Sequence, residues 1–319
     1  MIHPSLVPAT DAFRSRNDAT DPRVGDLVRT LEDPGQLKEG DVVLLGVRNE
    51  EGVLANHGRA GAAQGPGGFR QAFFKLTAPA LLGRACWDAG DLPESLPYAT
   101  RFEVQGEVVA ALLRRGALPV VVGGGHDCSY GNYLGLAALG DQRPPAVVGV
   151  DAHLDMRPDP GANSGNPFFR MLEHGLSGED LALVGLIPWV NAQAHHDYAQ
   201  AKAATLHWLE PGGEAEALRV AQAALNRFQG RGRRVLATFD LDAFTAAAIP
   251  GVSAPNPWGI GADLGLQLAR AFGHAPGVAC LDLMELAPPL DPTGRSARMA
   301  AFLAAAFLAG LADRPVVQS

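Results

Sequence analysis

Three apolar segments of this 319-residue chain run directly into acids or histidines: Val120-Val121-Val122-Gly123-Gly124-Gly125-His126-Asp127, Val148-Gly149-Val150-Asp151-Ala152-His153-Leu154-Asp155, and Val235-Leu236-Ala237-Thr238-Phe239-Asp240-Leu241-Asp242. In extended backbone, residues i and i+2 point the same way, so Asp151, His153 and Asp155 can converge on one point, as can Asp240 and Asp242. Carboxylates gathered at the ends of buried strands repel one another unless cations stand between them, because unpaired buried charge costs several kcal/mol per ion. Two imidazoles with four carboxylates form an N/O donor set without thiolate. That set is too oxygen-rich for structural zinc and suits Mn²⁺ or a similar hard-to-borderline divalent ion. Six ligands exceed what one such ion takes from protein while leaving room for substrate; if two aspartates bridge, each of two ions receives four contacts. Two-metal sites hold their ions about 3.5–4 Å apart and lower the pKa of a shared water, making hydroxide available as a nucleophile. Taken singly, Asp-x-Asp at a strand end is ordinarily a helix cap and Gly-Gly-Gly-His a flexible turn. Three such edges in one chain, one of them Asp-x-His-x-Asp, point to a metal centre.

The elements that must position these residues are short β-rich runs at 41–47, 84–87, 118–122, 146–150, 181–186, 205–208, 234–239 and 278–283. Several are apolar throughout, as in strands covered by helices on both faces of a parallel sheet. Helix-like stretches at 97–115, 214–228 and 264–272 lie between them, each with its apolar residues near one face. Alternating strand and helix implies an α/β domain with right-handed crossovers. The Pro/Gly clusters at 158–165, 250–261 and 288–294 follow predicted strand ends, where open α/β sheets place their ligand loops. No repeat, low-complexity tract or linker divides the chain, so residues 1–319 read as a single domain, with 1–40 as an N-terminal extension.

Composition narrows the class. The chain is 47% hydrophobic and 19% charged, with a net charge of −8. That excludes a disordered or collagen-like protein and leaves no basic footprint for nucleic acid. The odd set Cys86, Cys128 and Cys280, without CxxC spacing, reads as reduced thiols in a cytoplasmic protein. The charged start is unlike a signal peptide. The longest apolar run, 299–312, falls short of the roughly 20 residues that span a bilayer and suits a buried terminal helix.

At these residues the chain resembles the ureohydrolase family of arginase, agmatinase and formimidoylglutamase. The matching motifs are Gly-Gly-Gly-His-Asp (123–127), Asp-Ala-His-Leu-Asp (151–155), Phe-Asp-Leu-Asp-Ala-Phe (239–244) and Asp-Leu-Met-Glu-Leu-Ala-Pro-Pro-Leu-Asp (282–291). With Asn56-His57-Gly58-Arg59-Ala60-Gly61-Ala62 and Gly65-Pro66 they extend the resemblance over about 41–310. It implies a three-layer α/β/α fold with an eight-stranded parallel sheet, two Mn²⁺ per subunit, and assembly into trimers or hexamers. It also implies that His126, Asp151, Asp155 and Asp240 hold one ion and Asp151, His153, Asp240 and Asp242 the other, with Asp151 and Asp240 bridging. Asp155 would orient the nucleophile and Glu285 would pair with a cationic amidino group.

Within the family the resemblance is greatest to formimidoylglutamases. Arg157 stands where arginase has Asn, and a fixed guanidinium suits a carboxylate on the substrate. Ser164-Gly165-Asn166-Pro167-Phe168 resembles their Ser-Gly-Thr-Pro-Phe segment, with Phe168 where arginase has a proton-shuttling His. Asn166 in place of Thr and Asp127 in place of Glu are departures. Ser164 and Asn166 would add hydrogen bonds to the substrate, whereas Arg59 and Arg170 read as ion-pair residues and His174 as a surface residue. The expected reaction is hydrolysis of N-formimidoyl-L-glutamate to glutamate and formamide, in histidine breakdown. The alternatives are urea release from a guanidino acid, as in a guanidinobutyrase, agmatinase or arginase-like enzyme, and a catalytically silent metal-binding scaffold.

Overall fold

In the computed structural model, which describes residues 3–9, 15–140, 144–159, 161 and 163–314, nine strands form one sheet. They are β1 (Arg29–Thr30), β2 (Val42–Val47), β3 (Cys86–Leu92), β4 (Leu118–Val122), β5 (Ala146–Val150), β6 (Leu181–Leu186), β7 (Thr205–Trp208), β8 (Val235–Asp240) and β9 (Val278–Met284). The order is β1-β3-β2-β4-β9-β8-β5-β6-β7, and all neighbours are parallel. The eight expected strands correspond to β2–β9. The ninth, β1, is a two-residue edge strand too short to leave a pattern in the sequence. β3 runs on to Leu92, beyond the expected end at Trp87, because Asp88 and Asp91 interrupt its apolar signal while remaining inside the fold.

Apolar side chains alternate between two cores. Val42, Leu44, Val120, Val122, Val148 and Val150 enter one, and Val43, Leu45, Val47, Val121 and Val147 the other. Burial of both sheet faces is what makes the strands apolar throughout. Helices Gly65–Phe73, Glu214–Gly230, Ala262–His274 and Arg295–Ala312 cover the first face; Tyr98–Arg114, Ser129–Ala137, Pro167–Glu173 and Gln193–Ala201 cover the second. The result is the three-layer α/β/α architecture.

The last helix begins at Arg295, four residues before the apolar run read from the sequence, and is long and apolar enough by length and composition to cross a membrane. Eleven of its eighteen residues are buried in the fold. Its crossing with Ala262–His274 is glycine-dependent in both directions: a Cβ at Gly273 would meet the Phe307 carbonyl at 2.0 Å, and one at Gly310 the Arg270 carbonyl at 2.0 Å.

The strand order positions the site. β4, β9, β8 and β5 are consecutive neighbours although they are scattered along the chain, so the residues at their carboxyl ends meet along one edge. A crevice outside the carboxyl ends is where parallel α/β sheets bind ligands.

Candidate metal centre

β4 delivers His126 through three glycines. Gly123 and Gly124 take φ of +91° and +80°, and a Cβ on Gly123 would lie 2.4 Å from Pro66 Cδ, so the turn needs both the positive φ and the missing side chain. His126 Nδ1 then lies 3.0 Å from Asp151 Oδ2, 2.8 Å from Asp155 Oδ2 and 3.2 Å from Asp240 Oδ2. These four residues offer donor atoms within 4.8 Å of one another, and Asp151, His153 and Asp242 form a second such group. His153 Nδ1 is 3.1 Å from Asp242 Oδ2 and 3.7 Å from Asp151 Oδ1, so Asp151 turns one oxygen to each group. Asp240 falls in the first group, and its Oδ1 accepts the Asp242 amide at 2.8 Å in the turn after β8, as Asp151 Oδ1 accepts the His153 amide at 2.6 Å after β5.

The electrostatics are those of acids without sufficient positive charge. Among the described residues, only imidazoles lie at ion-pair distance from these four aspartates. Burial followed by the Asp151 charge raises the Asp155 carboxyl to about 6. Burial, then Asp242 and Asp151, push Asp240 well above the carboxylate range. For His126, burial works to lower the pKa, and the Asp151, Asp155 and Asp240 carboxylates outweigh it and hold the imidazole well above its ordinary value. Asp242 Oδ1 is buried without a hydrogen-bond partner. Orphaned oxygen, convergent N/O donors and self-repelling charge fit a pair of divalent cations.

Four members of the two groups, His153, Asp155, Asp240 and Asp242, line a cavity of about 460 Å³, which Glu285 also lines. Glu285 Oε1 accepts the His126 amide at 3.1 Å, and burial, then Asp242, raise its carboxyl to about 8. Three of the cavity's non-glycine residues hold the left-handed conformation: His57 (φ +63°), Asp155 (φ +44°) and Glu285 (φ +67°). Such backbone costs of order 1 kcal/mol or more per residue and collects at functional sites.

Arg157 and Ser164 line the cavity. Arg157 is exposed and forms no ion pair among the described residues; Asp159 instead accepts from Gly161 and Asn163. Ser164 Oγ accepts from Asn56 Nδ2 at 3.2 Å. Asn166 does not reach the cavity. It is fully buried, and its amide donates to the Asp159 and Gly161 carbonyls, holding the loop that bears Arg157. Pro160 and Ala162, within the same Pro/Gly cluster, lie outside the described residues.

Phe168 is buried edge-on against His126, with ring centroids 5.2 Å apart, and is absent from the cavity lining. Arg59 lines the cavity without an ion pair among the described residues, its guanidinium donating to the Val252 and Ser253 carbonyls at 2.7 and 2.9 Å. Arg170 is remote, sandwiched between Phe102 and Tyr130 at 4.3 and 4.2 Å. His174 is exposed, with Nδ1 3.2 Å from the Tyr130 hydroxyl.

Two lining residues carried no sequence signal. Asn191 straps the Asp151–Asp155 loop, accepting from the Leu154 amide at 2.6 Å and donating to the Ala152 carbonyl at 2.8 Å. His195 faces the cavity near Arg157, and burial, then that guanidinium, lower its pKa.

The arginase family model matches residues 40–310, close to the span of the resemblance read from the motifs. The formimidoylglutamase of Geobacillus thermodenitrificans is 33% identical over 284 residues, covering 88% of each chain. That of Nocardia farcinica is 37% identical over 269 residues, covering 82% of this chain and 84% of the relative. The crystal structure of Trypanosoma cruzi formiminoglutamase with Mn²⁺ superposes with a TM-score of 0.81 at 31% identity, covering 92% of this chain and all of that one. Family model, relatives and fold agree with the strand-end motifs: the chain belongs to the arginase family.

Proposed function

We propose that this protein is a binuclear manganese hydrolase that cleaves the amidine C–N bond of N-formimidoyl-L-glutamate, giving L-glutamate and formamide. The observation that carries the reading is the cavity itself. Four of the six N/O donors, His153, Asp155, Asp240 and Asp242, line it together with Glu285, and Arg157, without an acidic partner among the described residues, lines the same space. Cationic amidine at one end and carboxylate at the other is the charge pattern of that substrate. The formimidoylglutamase names of the relatives support the choice.

His126, Asp151, Asp155 and Asp240 would hold one ion, and Asp151, His153, Asp240 and Asp242 the other. When bound, the ions would lower the pKa of a water and supply it as nucleophile. Asp155 orients that nucleophile and accepts its proton at a carboxylate oxygen; the same carboxyl is the available donor to the leaving amine, because Phe168 offers none. Glu285 faces the amidinium, and Arg157 and Ser164 take the glutamate end. The other assignments follow the family: a cytoplasmic homo-oligomer acting on a small molecule, in histidine degradation.

The test is an assay of ammonia, urea and formamide release over formimidoylglutamate, guanidinobutyrate, agmatine and arginine with manganese-loaded protein. Formamide from formimidoylglutamate alone is expected. Urea from a guanidino acid would move the protein to another branch of the family, and inert, metal-loaded protein would make it a scaffold. Arg157→Asn is expected to raise KM for the acidic substrate about tenfold, the loss of roughly 1.4 kcal/mol, and to leave any agmatine turnover unaltered. Equal effects on both would sink the role given to Arg157.

A further inference from the structure

Behind His126, on the side away from the carboxylates, lies a chain of polar side chains that no part of the reaction uses. His126 Nε2 is 3.1 Å from Thr238 Oγ1, and Thr238 Oγ1 is 3.2 Å from Ser129 Oγ. Thr238 on β8 is the register partner of Asp282 on β9, so the two side chains emerge on the same face of the sheet. Asp282 Oδ2 accepts from Asn132 Nδ2 at 2.8 Å, and Asn132 Oδ1 accepts from Gln105 Nε2 at 2.7 Å. Thr238, Ser129, Asp282, Asn132 and Gln105 are all fully buried.

The direction of these bonds follows from donor counting. An ionised Asp282 only accepts, so Asn132 must present its NH₂ group to it and its oxygen to Gln105. Burial raises the Asp282 carboxyl to about 6 and Thr238 and Asn132 work against that rise, so the Thr238 hydroxyl turns its proton to the Asp282 side and can take the Ser129 proton at 3.2 Å. Thr238 Oγ1 is left as an acceptor for His126 Nε2–H. With cations bound in place of the Nδ1 proton, His126 would keep its ring proton on Nε2 and present the Nδ1 lone pair on the side of Asp151, Asp155 and Asp240. The other histidine has no such support. The His153 side chain is 26% exposed, and among the described residues only its Nδ1 has partners.

We infer that Thr238, oriented by Asp282 and Asn132, is a positioning residue that locks His126 in the metal-binding tautomer and so secures one of the two ions selectively. The inference rests on the binuclear reading of the site. A hydrogen-bond partner of this kind on a ligating histidine is worth about 10–100-fold in metal affinity.

The test is manganese binding to Thr238→Val, which keeps the β-branched shape and removes the hydroxyl, beside Thr238→Ser, which restores it. Asp282→Asn serves as a second route to the same network. The readouts are equivalents of Mn²⁺ retained against a chelator series, the electron paramagnetic resonance signal of a coupled pair against that of an isolated ion, and thermal stability of the metal-free protein. Thr238→Val and Asp282→Asn are expected to lose one of two equivalents at about 10–100-fold higher free Mn²⁺ than wild type and to show the isolated-ion signal. Thr238→Ser is expected to bind like wild type. If wild type itself takes up no manganese, the reading of the site and this inference fall together. If wild type holds two ions and Thr238→Val and Asp282→Asn hold both as tightly, the inference alone falls; a lower metal-free stability with unchanged affinity overturns it in the same way.

Discussion

Asp88 and Asp91 on β3 are 2% and 6% exposed, as deeply buried as Asp240 and Asp242 at 2% and 5%, yet the two pairs are neutralised in opposite ways. On β3 the counter-charge belongs to the fold. Arg70, from helix Gly65–Phe73, donates through Nε and Nη2 to both oxygens of Asp88, at 3.0 and 2.9 Å, and through Nη1 to Asp91. Its fourth contact is the Gly90 carbonyl. At the ends of β5 and β8, by contrast, four aspartates face two imidazoles and no guanidinium or ammonium group at ion-pair distance among the described residues. A buried acid answered by an arginine of its own chain is structural and complete. Four acids answered by only two imidazoles are complete only with cations from outside, and those are the ones at the cavity.

The comparison can be broken most directly at Asp240. Asp240→Asn removes a charge that the ions need and keeps the side-chain oxygen that accepts the Asp242 amide, so activity should fall at least about 10⁴-fold, roughly 5 kcal/mol of transition-state stabilisation, and manganese content should drop. Retained turnover in metal-depleted Asp240→Asn protein would falsify the metal-dependent mechanism. Arg70→Met should do the converse. Leaving two buried carboxylates unanswered costs about 3–5 kcal/mol in denaturant unfolding, while the folded fraction keeps its manganese. Loss of metal without loss of stability in Arg70→Met would erase the distinction between the two regions.

Manganese itself should stabilise the protein by about 2.7 kcal/mol at a free concentration 100 times its dissociation constant, read as a rise in Tm that Asp240→Asn loses. No rise in wild type would mean that the strand-end acids are not a cation site.

Asp291 sharpens the contrast as a third solution. Burial raises its carboxyl, but the Ser296 amide at 2.7 Å and the Thr293 and Ser296 side chains outweigh it and hold it down to about 2. Its folded pKa lies below the unfolded value near 3.9, so its stabilisation is present above about pH 4 and disappears as pH falls towards 2. Asp291→Asn should cost about 1–2 kcal/mol at pH 7 and less as the pH approaches 2. A cost that does not change with pH would exclude the charge as its source.

Much of the site was legible because its information is local. Asp151, His153 and Asp155 are two residues apart on backbone leaving a strand, and Gly123–Gly125 mark a turn that side chains would block. The expected helix at 97–115 and the observed Tyr98–Arg114 differ by one residue at each end, because a strong apolar face and a proline define it. Other features depended on contacts that no spacing encodes. The expected strand at 84–87 stops short of Leu92 because Asp88 and Asp91 break the apolar run, and only Arg70, packed between them, explains their burial. Asn166 read as a substrate contact and holds a loop instead, and Asn191 reaches the metal loop from beyond β6, where nothing marks it.

The sequence by itself determined the donor types, the i, i+2 convergence within each strand end and the family, all of which follow from residue identity and extended geometry. Tertiary structure alone decided the order β4-β9-β8-β5, which brings His126, Glu285, Asp240 and Asp151 to one edge. It also decided which buried acids have a partner within the chain and how Thr238 and Asp282 stand behind His126. The physical reason is that strand order, charge balance and the contacts behind His126 join separate segments of the chain, Arg70 to Asp88, His126 to Thr238 and Asn132 to Asp282, and none of them leaves a trace in local periodicity.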